Sequence, residues 1–170
     1  IVSENLSWSQ FVKINNYLYD LVGVKPVMTI SRNYPFKDIY THVLGYVSQP
    51  NEKEILDSQI IQERFVPGMK IGKLGLEKRL ERHLIGTNAI QRYEVNAYGK
   101  RINQLEHQKG EQGSQIRLTV DTEIQKACGE LLNKKAGSIS VMDIYTGDII
   151  AMYSSPSYNP NLFLFGMSQD

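Results

Sequence analysis

Ile116-Arg117-Leu118-Thr119-Val120-Asp121 runs into Ile124-Gln125, and Ser140-Val141-Met142-Asp143 passes through Tyr145-Thr146-Gly147 into Ile149-Ile150-Ala151-Met152. Asp121 is the kind of side chain that accepts the unpaired N–H groups at a helix start. Behind it Ile124, Ala127, Cys128, Leu131 and Leu132 follow the i, i+3, i+4, i+7, i+8 spacing of one helical face. Ser138 to Ile144 and Asp148 to Ser154 then form a predicted antiparallel hairpin, with Gly147 supplying the positive φ that a short turn requires. A helix followed at once by a hairpin points to an α+β chain.

Working upstream, the pattern stays mixed. Ser7-Trp8-Ser9-Gln10 has the form of a capping box, so a helix is expected from about Trp8, with Phe11, Ile14, Leu18 and Leu21 as its buried stripe and Gly23 as its end. Val27 to Ser31 reads as a strand that Tyr34-Pro35-Phe36 breaks, and Val43 to Val47 as a second brief strand. After a boundary at Gln49-Pro50-Asn51, Glu52 to Leu56 reads as a short helix and Pro67-Gly68 as punctuation. Leu76 to Leu84 places Leu76, Leu80 and Leu84 on one face, and Gly86 stands where a left-handed cap is wanted. Tyr93 to Ala97 and Lys100 to Leu105 are expected to pair about Tyr98-Gly99.

Composition narrows the function. The chain has 170 residues, 41% hydrophobic and 22% charged, which is ordinary globular usage, and its net charge of +1 gives no general case for nucleic acid or anionic lipid. No stretch approaches the roughly 18 apolar residues of a membrane-spanning helix. A single cysteine, Cys128, excludes an internal disulfide and is expected in the core.

The chemistry-bearing motifs are sparse. No serine has lysine three positions later, and Lys-Thr-Gly and Lys-Ser-Gly are absent; Ser3-Glu4-Asn5 and Ser157-Tyr158-Asn159 match only the short Ser-x-Asn pattern. His42, His83 and His107 are scattered without metal-ligand spacing, so neither a metal nor a cofactor is expected. Gly72-Lys73-Leu74-Gly75 before a helix has the form of the GXXG loop of KH nucleic-acid modules. Its alternative is a glycine-rich turn that sets the helix carrying Glu77. Glu77 and Glu81, one turn apart with Lys78 and Arg82, read as a solvated face rather than as an acid and base pair. Glu77 alone, in the first turn, is expected to be structural and partly buried, with Arg32 or Arg101 as its partner.

Seven stretches stand in an order that resembles the elongation-type class B penicillin-binding proteins, the penicillin-binding protein 2 family. They are 32–36 (with Arg32, Tyr34 and Pro35), 41–47 (with His42, Gly45 and Tyr46), 71–77 (with Gly72, Gly75 and Glu77), 84–87 (with Gly86), 93–100 (with Glu94, Val95, Asn96 and Gly99), 118–121 (with Thr119 and Asp121) and 156–163 (with Pro160 and Asn161). Gln125, Asp143 and Gly147 complete the signature positions, all implied to be structural. The resemblance implies a pedestal or dimerisation domain over residues 1–117, more irregular over about 51–92, and the first helix and two strands of a transpeptidase domain over 118–170.

By the same resemblance, the parent enzyme cross-links peptidoglycan stem peptides through an acyl-serine and binds penicillin, at the periplasmic side of the inner membrane. The segment lacks the family's membrane anchor and its three active-site motifs, so it is expected to carry no catalytic residue. Its partners would be other cell-wall elongation proteins, with self-association possible in principle and nucleic acid not expected. The runner-up reading is a stand-alone adaptor or KH-like module built on Gly72 to Gly75. The hairpin at 138–154 is expected either to pack on the helix of Ile124 to Leu132 with an intermolecular strand or surface partner, or to be poorly ordered.

Overall fold

The computed structural model describes residues 3, 6–26, 30–98 and 100–164. Helix α1, Trp8–Asn16, begins on the expected capping box: the Ser7 hydroxyl accepts the Gln10 N–H while the Gln10 side chain accepts the Ser7 N–H. It stops at Asn16 rather than at Gly23, and none of its residues is buried; Phe11, Ile14 and Leu18 are half-covered and Leu21 is exposed. The periodic stripe is present, but little of the described chain packs on it. Of the strand expected at Val27 to Ser31, residues 27–29 lie outside the described set, and Ile30 and Ser31 carry no strand pairing.

Beyond Tyr34-Pro35 the chain makes a 3₁₀ turn, Lys37–Tyr40, then one turn of helix, α2, Thr41–Leu44, and a two-residue strand, β1, Val47–Ser48. The strand expected from Val43 therefore begins four residues later, because Val43 and Leu44 complete the helical turn and Gly45, with φ +78°, is needed to leave it. Next come α3, Glu52–Asp57, capped by Asn51, α4, Gln59–Arg64, and β2, Ile71–Gly72, which pairs antiparallel with β1. The helix expected at Leu76 to Leu84 is two short ones, α5, Gly75–Arg79, and α6, Glu81–Leu84, broken at Leu80. Gly86 has the left-handed φ of +61° expected of a cap.

Strands β3, Ile90–Val95, and β4, Arg101–Gln108, form an antiparallel ribbon with irregular register next to Arg92/Tyr93 and Glu94/Val95; the Gly99 of its turn lies outside the described residues. The ribbon packs chiefly on itself. Helix α7, Thr122–Leu132, is capped as expected, the Asp121 carboxylate accepting the N–H groups of Glu123 and Ile124. Its buried face is rotated from the predicted one: Gln125 and Cys128 are buried, whereas Ile124, Ala127 and Leu131 are exposed. The rotation follows from what α7 packs on, the hairpin of β5, Gly137–Met142, and β6, Ile149–Ser155.

Two apolar clusters form the core of the described residues. One joins Tyr34, Val47 and Leu164, with Leu44 against it. The other joins Cys128, Ala151 and Tyr153, with Ile39, Leu132, Ile139 and Val141 packed around. Both clusters join side chains from 34–47 to side chains from beyond residue 118. The hairpin packs on α7, the helix expected to lie against it, and Ile39 from earlier in the same chain adds to the cover of its apolar face.

Candidate functional site

The two halves of the chain meet at Tyr34. Proline at 35 keeps the residue before it extended, which leaves the Tyr34 N–H and C=O free of any helical ladder. Both go to one side chain: Tyr34 N–H donates to Asn161 Oδ1 at 3.0 Å, and Asn161 Nδ2 donates to the Tyr34 carbonyl at 2.9 Å. An asparagine amide thereby acts as a strand partner would. Asn161 is held in place by Asn159, whose Oδ1 accepts both its N–H and its Nδ2, at the start of the 3₁₀ turn Pro160–Phe163, where Pro160 fixes the first φ.

The Tyr34 ring carries the contact onward. Its hydroxyl donates to Glu77 Oε1 at 3.2 Å, and Glu77 pairs with Arg32 Nε at 3.0 Å. Glu77 is 8% exposed, so a carboxylate on a surface-type helix is in fact the inner member of an ion pair. Burial, and after it the Glu77 charge, pushes the Tyr34 hydroxyl pKa well above its ordinary range, so it stays a donor. Arg101 does not join; it lies over the Tyr93 ring in the ribbon.

Glycines let the backbones close around this pair. A Cβ on Gly75 would strike the Leu44 carbonyl and Gly45 N, one on Gly45 would strike Leu74, and one on Gly72 would enter the Glu77 main chain. The Gly72 N–H donates to Glu81 Oε2. Glu81 is therefore not on a solvated face, as the i, i+4 charge pattern had suggested. Burial and the neighbouring Glu77 charge raise its pKa against the opposing Gly72 and Arg32 contributions. The i+4 spacing from Glu77 was visible in the sequence; the break at Leu80 that turns both inward was not.

A second seam runs beside the first. Thr41 Oγ1 donates to the Tyr158 carbonyl, the His42 ring nitrogen Nε2 lies 3.1 Å from the Pro156 carbonyl, and Tyr46 stacks on Phe163 at 4.4 Å between ring centres. Tyr158 meets His42, Tyr46 and Phe163 edge-on. Farther along, Tyr40 Oη donates to Thr122 Oγ1 at 2.9 Å. Gln125, fully buried, donates through Nε2 to the carbonyls of Ile39 and Met152 and accepts the Met152 N–H.

The structure thus brings Arg32, Tyr34, His42, Gly45, Tyr46, Gly72, Gly75, Glu77, Pro160 and Asn161 into one junction, with Gln125 at its edge. It places the others elsewhere. Glu94, Val95 and Asn96 lie on or beside the ribbon, Glu94 accepting from Asn103 and Asn96 closing the turn onto Tyr98 and Lys100. Gly86 packs against 111–113, and Thr119 and Asp121 bond the outer edge of β6 through the Ile149 and Ile150 carbonyls. Asp143 accepts the N–H groups of Tyr145 and Thr146, which brings its pKa below the usual carboxylate range and closes the turn at Gly147.

These contacts bind and orient backbone. Ser157 Oγ lies against Tyr153 Oη and Asp38 Oδ2, and residues 4 and 5 of the other Ser-x-Asn lie outside the described set. Lys73, the lysine of the glycine-rich loop, is committed to Glu54. Among the described residues no group of three or more His, Cys, Asp or Glu could hold a metal, and no helix is long and apolar enough to cross a membrane.

Comparison with known proteins agrees with this architecture. The model of the penicillin-binding protein dimerisation domain matches residues 1–118. The chain is 36% identical over 171 residues to the peptidoglycan D,D-transpeptidase MrdA of Escherichia coli K12, covering 98% of this chain and 27% of that relative. It is 33% identical over 164 residues to the MrdA of Acinetobacter baumannii, covering 96% and 24%. Among solved structures it resembles the penicillin-binding protein PBP2 in a complex with MreC from Helicobacter pylori, with a TM-score of 0.82, 28% identity, and coverage of 99% of this chain and 31% of that one. It also resembles Pseudomonas aeruginosa PBP2 solved with WCK 5153, with a TM-score of 0.67, 32% identity, and coverage of 85% and 28%. The chain spans about a quarter of the length of the curated relatives it matches.

Proposed function

Because the chain belongs to the penicillin-binding protein dimerisation-domain family, we propose that it is the non-catalytic pedestal segment of a peptidoglycan D,D-transpeptidase, together with the first elements of the catalytic domain. Its work is to hold that domain in a fixed attitude and to offer a surface for cell-wall elongation partners. The observation that carries this reading is the Tyr34 junction, where one asparagine, Asn161, takes both main-chain groups of Tyr34 while Glu77 and Arg32 close on its ring. A segment that only tethered the catalytic domain would not need a joint with this much directional bonding.

The parent protein would carry the acyl-serine chemistry elsewhere in its sequence, act on the periplasmic face of the inner membrane, and add its further strands at β5. The residues of the family signature serve this joint or the elements around it. The docking reading rests on the relative solved with MreC. On this chain the side chains best suited to it are the exposed Leu56, Phe65, Val66 and Leu74 of the 51–92 head.

Two measurements test the proposal. Incubated with a fluorescent penicillin and run on a denaturing gel, the chain should show no labelled band, since a serine without an adjacent base stays protonated and unreactive; saturable labelling would refute it. Titrated calorimetrically with the MreC-type protein of its own source, the chain should bind, and Leu56→Glu should weaken binding by about tenfold or more. No heat at any attainable concentration would remove the docking role.

A further inference from the structure

The run Glu77-Lys78-Arg79-Leu80-Glu81-Arg82 mixes both signs of charge along the sequence. In the fold the signs separate. Glu77 turns inward to the Arg32 guanidinium and the Tyr34 hydroxyl, and Glu81 accepts the Gly72 N–H of β2. Lys78, Arg79 and Arg82 are left exposed on α5 and α6. Among the described residues none of these three bases has an ion-pair partner. Glu54, whose charge Lys78 feels, is already paired with Lys73. Between residues 64 and 93 no acidic side chain is exposed. Leu74, itself 53% exposed, lies one turn before Lys78, whose N–H donates to the Leu74 carbonyl. Like charges three and four positions apart repel one another, so the three bases carry a repulsion that only an outside anion can relieve.

We propose that this basic face of α5 and α6 docks a short acidic segment of a partner protein, which sets carboxylates against Arg79, Arg82 and Lys78 and an apolar side chain on Leu74. A guanidinium takes a carboxylate through two parallel N–H donors, and a lysine adds a point charge. The surroundings favour a short segment over a membrane plane or a long polyanion. Helices α3 and α4 expose Glu52, Asp57 and Glu63 against a single exposed lysine, Lys53, and Lys73 ties α3 to the start of α5 through Glu54. A broad anionic surface laid on α5 and α6 would meet those carboxylates; a segment of a few residues passes beside them. The near-neutral chain, at +1, offers a wide polyanion nothing further. Leu74 also belongs to the apolar set named for docking above, but this proposal rests on the separation of charge and stands if that docking fails.

The probe is a short fluorescent peptide rich in glutamate and carrying one leucine, titrated with the intact chain by anisotropy. Binding at about 50 mM salt should weaken by about fivefold or more at about 300 mM, where the screening length is less than half as long. This comparison needs no variant to fold. Arg79→Glu with Arg82→Glu should lower the affinity by about tenfold or more. Lys134→Glu with Lys135→Glu changes the net charge equally from beyond the end of α7 and should leave the affinity within about twofold. No binding at low salt, binding indifferent to salt, or an equal loss in the two variants overturns the proposal. So does a chain that ignores the peptide but sediments, through the same two arginines, with vesicles of equal parts phosphatidylglycerol and phosphatidylcholine, since the face would then recognise lipid.

Discussion

At the scale of single residues, the chain relies on a few polar side chains that do the work of main chain. Gln125 is the clearest case. It is fully buried, and its amide satisfies the N–H and C=O of Met152 and the C=O of Ile39 at 2.8–2.9 Å. Gln125→Leu keeps the volume but strands three backbone groups, each costing about 1–3 kcal/mol if no water reaches it. We expect a loss of about 3 kcal/mol or more in urea unfolding; a loss under about 0.5 kcal/mol would mean the amide is replaceable. Glu77→Gln is expected to cost less, about 1–2 kcal/mol, since Arg32 is 40% exposed and can be rehydrated. The sequence disclosed these residues unevenly. Asp121 and Ser7 were legible as caps because their partners lie within three residues. The burial of Gln125 was not, since periodicity marks a glutamine as outward and the groups it serves are Ile39 and Met152, far away along the chain. Glu81 was hidden for the same reason: its partner, Gly72, lies nine positions upstream.

At the scale of elements, close approach decides more than propensity. α5 begins at Gly75, whose φ of +60° and contact with the Leu44 carbonyl both exclude a side chain, so the end of α2 and the start of α5 are fitted to each other. Gly147 has a similar φ, +78°, yet nothing lies within 4 Å of where its Cβ would stand. The two glycines separate strain from collision. Gly147→Ala should cost only the left-handed conformation, about 1–2 kcal/mol. Gly75→Ala should cost clearly more, because backbone must also move. Equal changes in melting temperature would show that the α2–α5 contact can admit a methyl group without moving backbone. This contact also explains why the expected strand at Val43 and the expected single helix at Leu76 to Leu84 did not form. Local patterns suited both, but the α2 turn and the break at Leu80 bring Gly45, Gly75 and Glu77 together. The ion pair between Lys73 and Glu54 of α3 carries its own pH dependence. Burial alone would raise the Glu54 pKa, but the Lys73 ammonium and the Asn51 N–H bring it below the usual range. Its contribution is therefore present above the unfolded value and fades as pH falls.

At the scale of the whole molecule, the fold class, the capped helices and the two hairpins were legible because capping boxes, helical spacing and a glycine turn are local signals, while the short elements between 37 and 84 and the way 34–47 lies on α7 and β6 were not. That packing alters what can happen at the hairpin. The outer edge of β6 is occupied from Ile149 to Met152: Met152 is taken by Gln125, and the Ile149 and Ile150 carbonyls accept from Thr119 Oγ1 and Asp121 N–H. Because Met152 faces away from β5, its register partner Ser140 must face away from β6 as well, in the alternation that antiparallel ladders impose. The N–H and C=O of Ser140, and by the same alternation those of Ser138, are thus presented at the outer edge of β5, which no strand of the described residues pairs with. Sheet extension, whether by further strands of the parent protein or by a second copy, is confined to β5. Hydrogen exchange on the chain at low concentration should show the Met152 amide slow and the Ser138 and Ser140 amides fast. Gln125→Leu should release Met152 while leaving the Ala151 and Tyr153 amides, which face β5, protected. If Ser140 exchanged as slowly as Met152 and became faster on dilution, a second copy would already occupy the edge. If it stayed slow at every concentration, the edge would be covered from within the chain and β5 could not be where the sheet grows.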